Sequence, residues 1–459
     1  MRVVARVETV EGSLRKRFGD ELVLPGDTPQ YLRDETETRG VHGHADAVVL
    51  PRTAEEVGAV VAWCYDHGVA VVPRGGGTGY AGGCVPVEGG VVLALERLAR
   101  VRSFDPPLWR MEVEAGVTTA RVRETARGGG LLFAPDPGGA EQSQIGGNVA
   151  TNAGGPHAFK YGVTGAWVSG VEAVVPPGDL VRVGGALRKD VAGYDLKSLL
   201  IGSEGTLGVI TAVWLKLVPA PEAAWPVVAF LDGTQAGCAA IEDVLANGLR
   251  VAALEFLDAE TMRLAGRSFP GEVPDGAFAV IAEADGSHEE AARERAELLE
   301  LFADARSIHA PEEPRDIAAL WRWRDGVSFA VEAAQGGKAS EDIVVPLDRL
   351  AEGIEQTQAI AARHGLHACA WGHAGDGNLH ATFLFAPHEA SRAARATDEL
   401  LELATHLGGS ISGEHGLGWA KRGHLERQWD PRALDLHDAV KRAFDPAGLM
   451  NPGKKTSRR

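Results

Sequence analysis

Along the first half of the chain, short apolar blocks alternate with stretches of helical spacing. The run "ADAVVLP" predicts a buried strand, and "TAEEVGAVVAWCYDHG" predicts a helix. Val57, Val60, Val61 and Cys64 recur on one helical face, Thr53 and Glu56 stand as a capping box, and Gly68 closes the segment. A strand at "VAVVP", a glycine-rich loop, a strand at "VVLAL", an alternating strand in "WRMEVEAGV" and a helix over 119–127 follow, and the region ends at "LGVITAVWLKLVP". This predicts an α+β unit over 41–218, preceded by an N-terminal segment, 1–40. After the break "VPAPEAAWP" the order becomes strand (227–231), helix (234–245), strand (253–257), strand (278–283), a helix opening on the capping box Ser287 and Glu290, and a weak strand near Ile308. That is the split βαβ order of a ferredoxin-like layer. Helices are expected near 315–330, 347–364, 389–407 and 432–444, which assigns 219–430 to a second unit and 431–459 to a C-terminal segment.

Composition narrows the class. A chain of 459 residues can bury more than one core. Its formal net charge of −17 argues against nucleic acid, whose phosphates need a basic face. The closing "KKTSRR" reads as a frayed, solubilising tail. Cys64, Cys84, Cys238 and Cys369 form no C-x-x-C pair, which suits a reducing compartment and argues against a disulfide framework. The opening "MRVVARVETVEGSLRKRFGD" is broken by charge every few residues, far from the ~18 apolar residues of a membrane span, so a cytoplasmic protein is expected. Glycine, at 58 residues, exceeds the usual share of about 7%. It crowds 75–208 and 372–418, two regions that look built around a ligand.

Within the first cluster, "GTGYAG" fits the G-x-G-x-x-G dinucleotide fingerprint, yet no helix follows it. The loop runs instead into another strand, so no helix dipole would face a pyrophosphate. Consecutive peptide N–H groups in a tight loop can still form a nest for phosphate oxygens. A plain turn between two strands is the simpler structural alternative.

Neighbouring segments change the balance. "PRGGGTGYAGG", "PDPGGAEQSQIGGNVATNAGG", "KYGVTGAWVSGVEAVVP" and "KDVAGYDLKSLLIGSEGTLGVIT" in this order resemble the PCMH-type FAD-binding domain of the vanillyl-alcohol oxidase superfamily, over nearly all of 41–218. The resemblance implies that loop amides hold the FAD pyrophosphate at Arg74, Gly75, Gly76, Gly77, Thr78 and Gly79, with Pro73 and Gly82 also among the cofactor-binding residues. It implies further flavin contacts at Pro137, Gly147, Asn148, Thr151, Asn152, Gly155, Glu204, Gly208 and Ile210. Some members attach FAD covalently. Here the first loop lacks histidine, Cys84 lies just beyond it and His157 sits within a flavin-contacting segment, and non-covalent FAD is expected.

A second constellation is "WGHAGDGNLH". Asp-Gly between apolar runs signals a two-residue hairpin turn, which would set His373 directly opposite His380 with Cβ atoms about 5 Å apart. Two stacked histidines on an exposed hairpin is the plain reading, and a metal site the other. "SGEHGLG" adds Glu414, completing a two-histidine, one-carboxylate donor set. Adjacent residues in extended backbone point opposite ways, so His415 should then face away from the ion.

These segments resemble the metal-dependent D-2-hydroxyacid dehydrogenase branch, which includes D-lactate and D-2-hydroxyglutarate dehydrogenases and the flavin subunit of glycolate oxidase. The resemblance implies His373, His380 and Glu414 as ligands of a divalent metal (zinc, manganese, cobalt or iron) and His415 as the base. It also implies a ferredoxin-like substrate (cap) domain and a C-terminal helical segment returning to the flavin, with Asn451 and Gly453 of "DPAGLMNPGK" beside it. "LWRWRD" resembles the segment that binds the substrate carboxylate, which makes Arg324 the clamp. Lys338 lies two residues early relative to Pro346 for the family's lysine, leaving a second carboxylate contact unassigned. The substrate implied is a small 2-hydroxy acid, and the electron acceptor is left open among a quinone, a cytochrome, an electron-transfer flavoprotein and oxygen. The acceptor could place the protein at the periphery of a membrane, and a homodimer or partner subunits are compatible with the pattern. Rival readings are a metal-dependent hydrolase with a nucleotide-binding domain, a non-redox flavin-dependent synthase, and a silent nucleotide-binding scaffold.

Overall fold

A computed structural model describes residues 9–36 and 40–458; residues 1–8 of the N-terminal stretch, 37–39 and 459 lie outside the described residues. The glycine-rich region holds two main sheets, besides the short pairing of Leu131–Leu132 with Val218–Pro219. In the first, the strands Ala47–Val49, Val91–Ala94 and Val71–Arg74 run parallel, and the fully buried "VV" pairs in each explain why they sit at the centre of a core. The helix Ala54–Asp66 makes the crossover, with Val57, Val60, Val61 and Cys64 inward. Its capping box is half-made. Thr53 Oγ1 accepts from the Glu56 N–H at 3.2 Å, but the Glu56 carboxylate accepts from Arg52 N, one residue before the expected donor.

The segment before residue 40 is part of this unit. Val23–Pro25 pairs antiparallel with Ala47–Val49, and Leu14 of the helix Val10–Phe18 enters the same core. The second sheet is antiparallel with five strands, in the order Val101–Asp105, Arg110–Glu114, Val209–Lys216, Val168–Val175, Asp179–Gly184.

The second unit carries a seven-stranded sheet. Ser307–His309, Ala223–Leu231, Phe278–Gly286 and Ala253–Leu257 lie side by side and antiparallel, the ferredoxin-like arrangement. The strands His367–His373, Asn378–Leu384 and Lys338–Val344 extend it. Period-two alternation serves two cores: Val227 and Ala229 face one, Val228 and Phe230 the other. The expected 315–330 helix is two helices, Pro314–Asp325 and Val327–Gln335, divided at Gly326.

The helix Pro431–Phe444 leads the chain back to the first unit, where Val71 N donates to Leu449 O and Asn451 N to Val71 O, at 2.8 and 2.7 Å. Over residues 454–458 the terminal basic run is not frayed. Lys454 is buried, Lys455 pairs with Glu204 at 2.9 Å and Arg458 with Asp435 at 2.8 Å, because carboxylates of the first unit and of the C-terminal helix meet these cations.

Candidate functional site

The strand Val71–Arg74 opens into the glycine loop at one wall of a cleft of about 1260 Å³, its open mouth included. Pro73 through Gly79 line it, with Pro137, Gly147, Asn148 and Thr151 on a second side and Glu204, Gly208 and Ile210 on a third. Sequence-distant glycines thus converge. A Cβ on Gly76 would fall 2.1 Å from the Gln142 carbonyl oxygen, and Gly77 has φ +74° with the Arg74 guanidinium 2.1 Å from its Cβ position. A Cβ on Gly147 would meet no protein atom within 4 Å, so the room beside it is room for a ligand.

Several expected contacts serve this wall from behind. The Arg74 guanidinium donates to Arg33 O and Gln30 O, at 2.8 and 2.7 Å, so only the backbone of Arg74 is available to the cleft. Gly82, Asn152, Gly155 and Asn451 are not on the cleft wall. Gly82 N donates to Thr36 Oγ1, Asn152 Oδ1 accepts from Gly165 N, and Asn451 Nδ2 donates to Gly83 O and Glu204 O, each at 2.7 or 2.8 Å. Gly155 lines the neighbouring chamber instead. The Glu204 carboxylate accepts from Leu417 N and Gly418 N and pairs with Lys455, which ties the "SGEHGLG" loop and the tail to this wall. Cys84 lies on the wall with its thiol pushed up to about 11 by burial. His157 is off it, both ring nitrogens being held by Asp136 and Glu283.

The hairpin register differs from expectation. Ala374–Asp376 form a 3₁₀ turn with Gly377 left-handed after it, and Trp371, not His373, is paired with His380. A slip of two residues keeps both imidazoles on one face, with ring centroids 5.3 Å apart. Glu414 Oε1 lies 3.5 Å from His373 Nε2 and 3.4 Å from His380 Nε2, and the three donor atoms fall within 4.8 Å of one another. Glu255 Oε1 takes the other nitrogen of His373, Nδ1, at 2.6 Å, an arrangement that leaves Nε2 directed at the group. Chemically and sterically these residues fit a divalent cation.

The charges are strongly coupled. Burial disfavours an imidazolium at His373, but Glu255 and Glu414 outweigh it and raise the group to about 10. Burial, with His373, His415 and Arg324, lowers His380 to about 3 against the pull of Glu414. Glu414 is lowered to about 2, because His373, His380 and His415 overcome the penalty of burying a carboxylate.

Glu414 and His415 do not diverge. Residues 412–416 form an irregular bend with Gly416 at φ +79°, and the premise of extended backbone fails there. Asp342 Oδ2 shapes the bend by accepting from three successive amides, Gly413, Glu414 and His415, at 2.9, 2.7 and 2.7 Å. Lys421 pairs with the same carboxylate, and with His415 it holds Asp342 ionised despite complete burial. The His415 ring stacks between Tyr80 and His380, with centroids 4.9 and 5.4 Å away, and its Nδ1 is 3.5 Å from Asp342 Oδ1.

Beyond this group lies a smaller chamber lined by Tyr80, Arg324, Lys338, Trp371 and the three histidines. Arg324 Nε donates to Glu255 Oε2 at 2.7 Å, while its Nη2 contacts that carboxylate without hydrogen-bond geometry. Lys338 opens its strand rather than preceding it, and its Nζ is 3.2 Å from Glu332 and 2.6 Å from Ser328 Oγ. Tyr80, Glu255 and Asp342 escaped the sequence reading. A lone acid in the apolar strand "ALEFL" and an acid pair at the head of the apolar run "EDIVV" were the available signals for the last two.

With this geometry in view, two family models match the chain: one described as an FAD binding domain over 45–184, and one described as the C-terminal domain of FAD linked oxidases over 220–455. The glycolate oxidase subunit GlcD of Bacillus subtilis (strain 168) is 38% identical over 93% of this chain and 90% of its own length. A D-lactate dehydrogenase of Anaerostipes hadrus is 33% identical over 96% and 95%, and the mitochondrial D-2-hydroxyglutarate dehydrogenase of Bos taurus 34% over 95% and 82%. Among solved structures, p-cresol methylhydroxylase with substrate bound superposes with a TM-score of 0.79 at 18% identity, covering 96% of this chain and 95% of that one. The 4-ethylphenol oxidase of Gulosibacter chungangensis gives 0.76 at 19%, covering 97% and 96%. At such identities the structural likeness speaks for the fold, PCMH-type and α+β.

Proposed function

The chain belongs to the FAD-linked oxidases, an FAD-binding enzyme of the hydroxyacid dehydrogenase group, and from there we propose that it oxidises a small D-2-hydroxy acid of the lactate, glycolate or 2-hydroxyglutarate class to the 2-oxo acid. The observation that carries this reading is a shared wall. Tyr80, Gly138, Glu414 and His415 line both the glycine cleft and the charged chamber, so ligands on the two sides meet at the histidine group.

FAD supplies the hydride acceptor when bound against the peptide groups of 75–79 and the Gly147–Thr151 segment. His373, His380 and Glu414 would hold a divalent ion, which would supply Lewis acidity toward the substrate hydroxyl. The chain's own residues do the rest. Arg324, which lines the chamber, orients the substrate carboxylate, and Lys338 lies on the same chamber wall. His415 accepts the hydroxyl proton at Nε2, its ring plane held by Tyr80 and its Nδ1 turned to Asp342. Non-covalent FAD is supported by the raised, unreactive thiol of Cys84 and the doubly bonded imidazole of His157. The boundaries at 219 and 431 give the corresponding division of labour between cofactor, substrate and returning segments, with the stretch before 41 packed into the cofactor unit. That a relative is named as a subunit supports partner chains here.

The test is anaerobic mixing of purified protein with D- and L-lactate, glycolate and D-2-hydroxyglutarate, following the flavin band near ~450 nm. Bleaching by a D-acid or glycolate is expected, and no bleaching by any of them would overturn the proposal.

A further inference from the structure

We propose that the face running from Leu108 across residues 180–207 to the C-terminal helix docks an electron-accepting protein whose contact surface is apolar at its centre and acidic around it. This rests on the oxidation proposed above, which releases two electrons and two protons from each hydroxy acid. Two molecules of a one-electron carrier, each reduced once, complete a turnover while the protons pass to solvent.

Large exposed apolar side chains are not scattered over this protein. Among the described residues, every one except Phe329 falls on the segments 108–109, 180–199 and 429–436, with Val191 and Tyr194 as much as 84% and 96% exposed. The segments adjoin: the Arg188 guanidinium lies 5.1 Å over the Trp109 ring, and Leu199, Trp429 and Leu436 share the walls of one groove. Contiguous apolar exposure of this kind marks an interaction site.

Position gives the partner its class. Gly202, Ser203, Thr206 and Leu207 line the groove, while Glu204, Gly205 and Gly208 line the cofactor cleft, so a single turn of backbone separates the two. A protein seated in the groove is thus separated from the cofactor cleft by that turn. Charge gives its chemistry. Segments 182–216 and 430–458 carry 11 Lys and Arg against 7 Asp and Glu, in a chain of net charge −17. Arg188, Lys189 and Lys216 have no ion-pair partner among the described residues, and such cations favour an acidic rim on the partner. The concave groove favours a protein ridge over a lipid surface, since a membrane-inserting element presents a convex apolar face.

The FAD-loaded enzyme is titrated by calorimetry at low salt with two probes: the soluble haem domain of cytochrome b5, an acidic one-electron carrier, and the basic cytochrome c. Cytochrome b5 is expected to bind more tightly, with affinity falling as salt rises. Two double variants, Arg188→Glu with Lys189→Glu and Tyr194→Asp with Leu199→Asp, should each weaken that binding about tenfold or more. Flavin content and oxidation of D-lactate by a small dye should stay unchanged in both. Equal binding by wild type and both variants, or tighter binding of cytochrome c, overturns the proposal. So does wild-type sedimentation with phosphatidylserine vesicles that both variants abolish, which marks a membrane face, or a wild-type dimer that both variants dissociate, which marks a second copy. A wild type that oxidises no hydroxy acid with the dye sinks the oxidation instead, and the calorimetry still judges the surface.

Discussion

The two cavities that meet at Tyr80 and His415 are built from opposite materials. The cofactor cleft is mostly backbone: glycine loops close in on one another, and Arg74 and Glu204 on its wall point their charges into the protein. The substrate chamber rests on buried charge, with Glu255 and Asp342 fully buried and Arg324, Lys338 and Lys421 nearly so. A backbone wall fails when a Cβ is added. A charged wall fails when one partner is removed and the other is stranded.

The largest effect should come from the first kind of failure. Gly76→Val places side-chain carbon against the Gln142 carbonyl and forces the loop apart, so the protein should purify without FAD, measured by its absorption spectrum after desalting. Gly79→Val sharpens the comparison: its Cβ would approach only Asp34 Oδ2, at 4.0 Å, so the loop should hold and FAD affinity should fall without vanishing. A full flavin complement in Gly76→Val would mean the cleft is not held together by backbone contact.

The next effect belongs to the histidine group and separates its two roles. His380→Ala and Glu414→Gln should lose bound metal, read by elemental analysis, together with activity. His415→Asn should keep metal and FAD while anaerobic flavin reduction slows by roughly 10²–10⁴-fold, the usual contribution of a positioned general base. Metal loss in His415→Asn with retention in Glu414→Gln would exchange the two assignments.

That contrast also explains what the sequence could tell. Glycine loops are legible because each is local: the residues that make the turn also make the wall, and their order along the chain carries the pattern. The ferredoxin-like layer was legible for the same reason, as its strands and helices alternate in order. The histidine hairpin was half legible. Asp376-Gly377 does turn the chain, but a two-residue loop gives the wrong register, and the side-chain face survived only because the slip is even. Asp342 and Glu255 were not legible. Their partners lie 73 and 69 residues away, at His415 N and Arg324, and nothing local marks an acid that will be buried against them. The terminal lysines misled for the same reason, since Glu204 is 251 residues from Lys455.

Arg324 brings the two kinds of failure together at an intermediate magnitude. Arg324→Met should keep the flavin and lower kcat/KM for the hydroxy acid by about 2–4 kcal/mol in transition-state terms, the range for removing one partner of a charge-assisted pair. It also strands Glu255 in the core, so the variant should melt lower than wild type. Adding Glu255→Gln should recover much of the stability and none of the kcat/KM. Recovery of both would make Arg324 a structural partner of Glu255 and move the carboxylate clamp to Lys338.

The smallest effect lies between the two units, where His157 joins them. Its Nδ1 is 2.5 Å from Asp136 of the glycine-rich unit and its Nε2 2.8 Å from Glu283 of the seven-stranded sheet, and Glu283 also accepts from Trp321 Nε1 at 2.7 Å. Burial disfavours the imidazolium, but Asp136 and then Glu283 outweigh it and raise His157 well above its ordinary value. A histidine whose folded pKa is raised contributes its full stability below about 6.5 and loses it as pH climbs through the folded value. Tyr161, packed against Asp285 two residues along the same strand, has its phenol pushed up by burial and keeps its proton through that rise. The melting temperature of wild type should therefore fall more steeply from neutral to alkaline pH than that of His157→Gln, by a few degrees, given about 2–4 °C per kcal/mol for units of this size. Parallel curves for the two proteins would mean that the ion pair contributes nothing to holding the charged unit against the glycine-rich one.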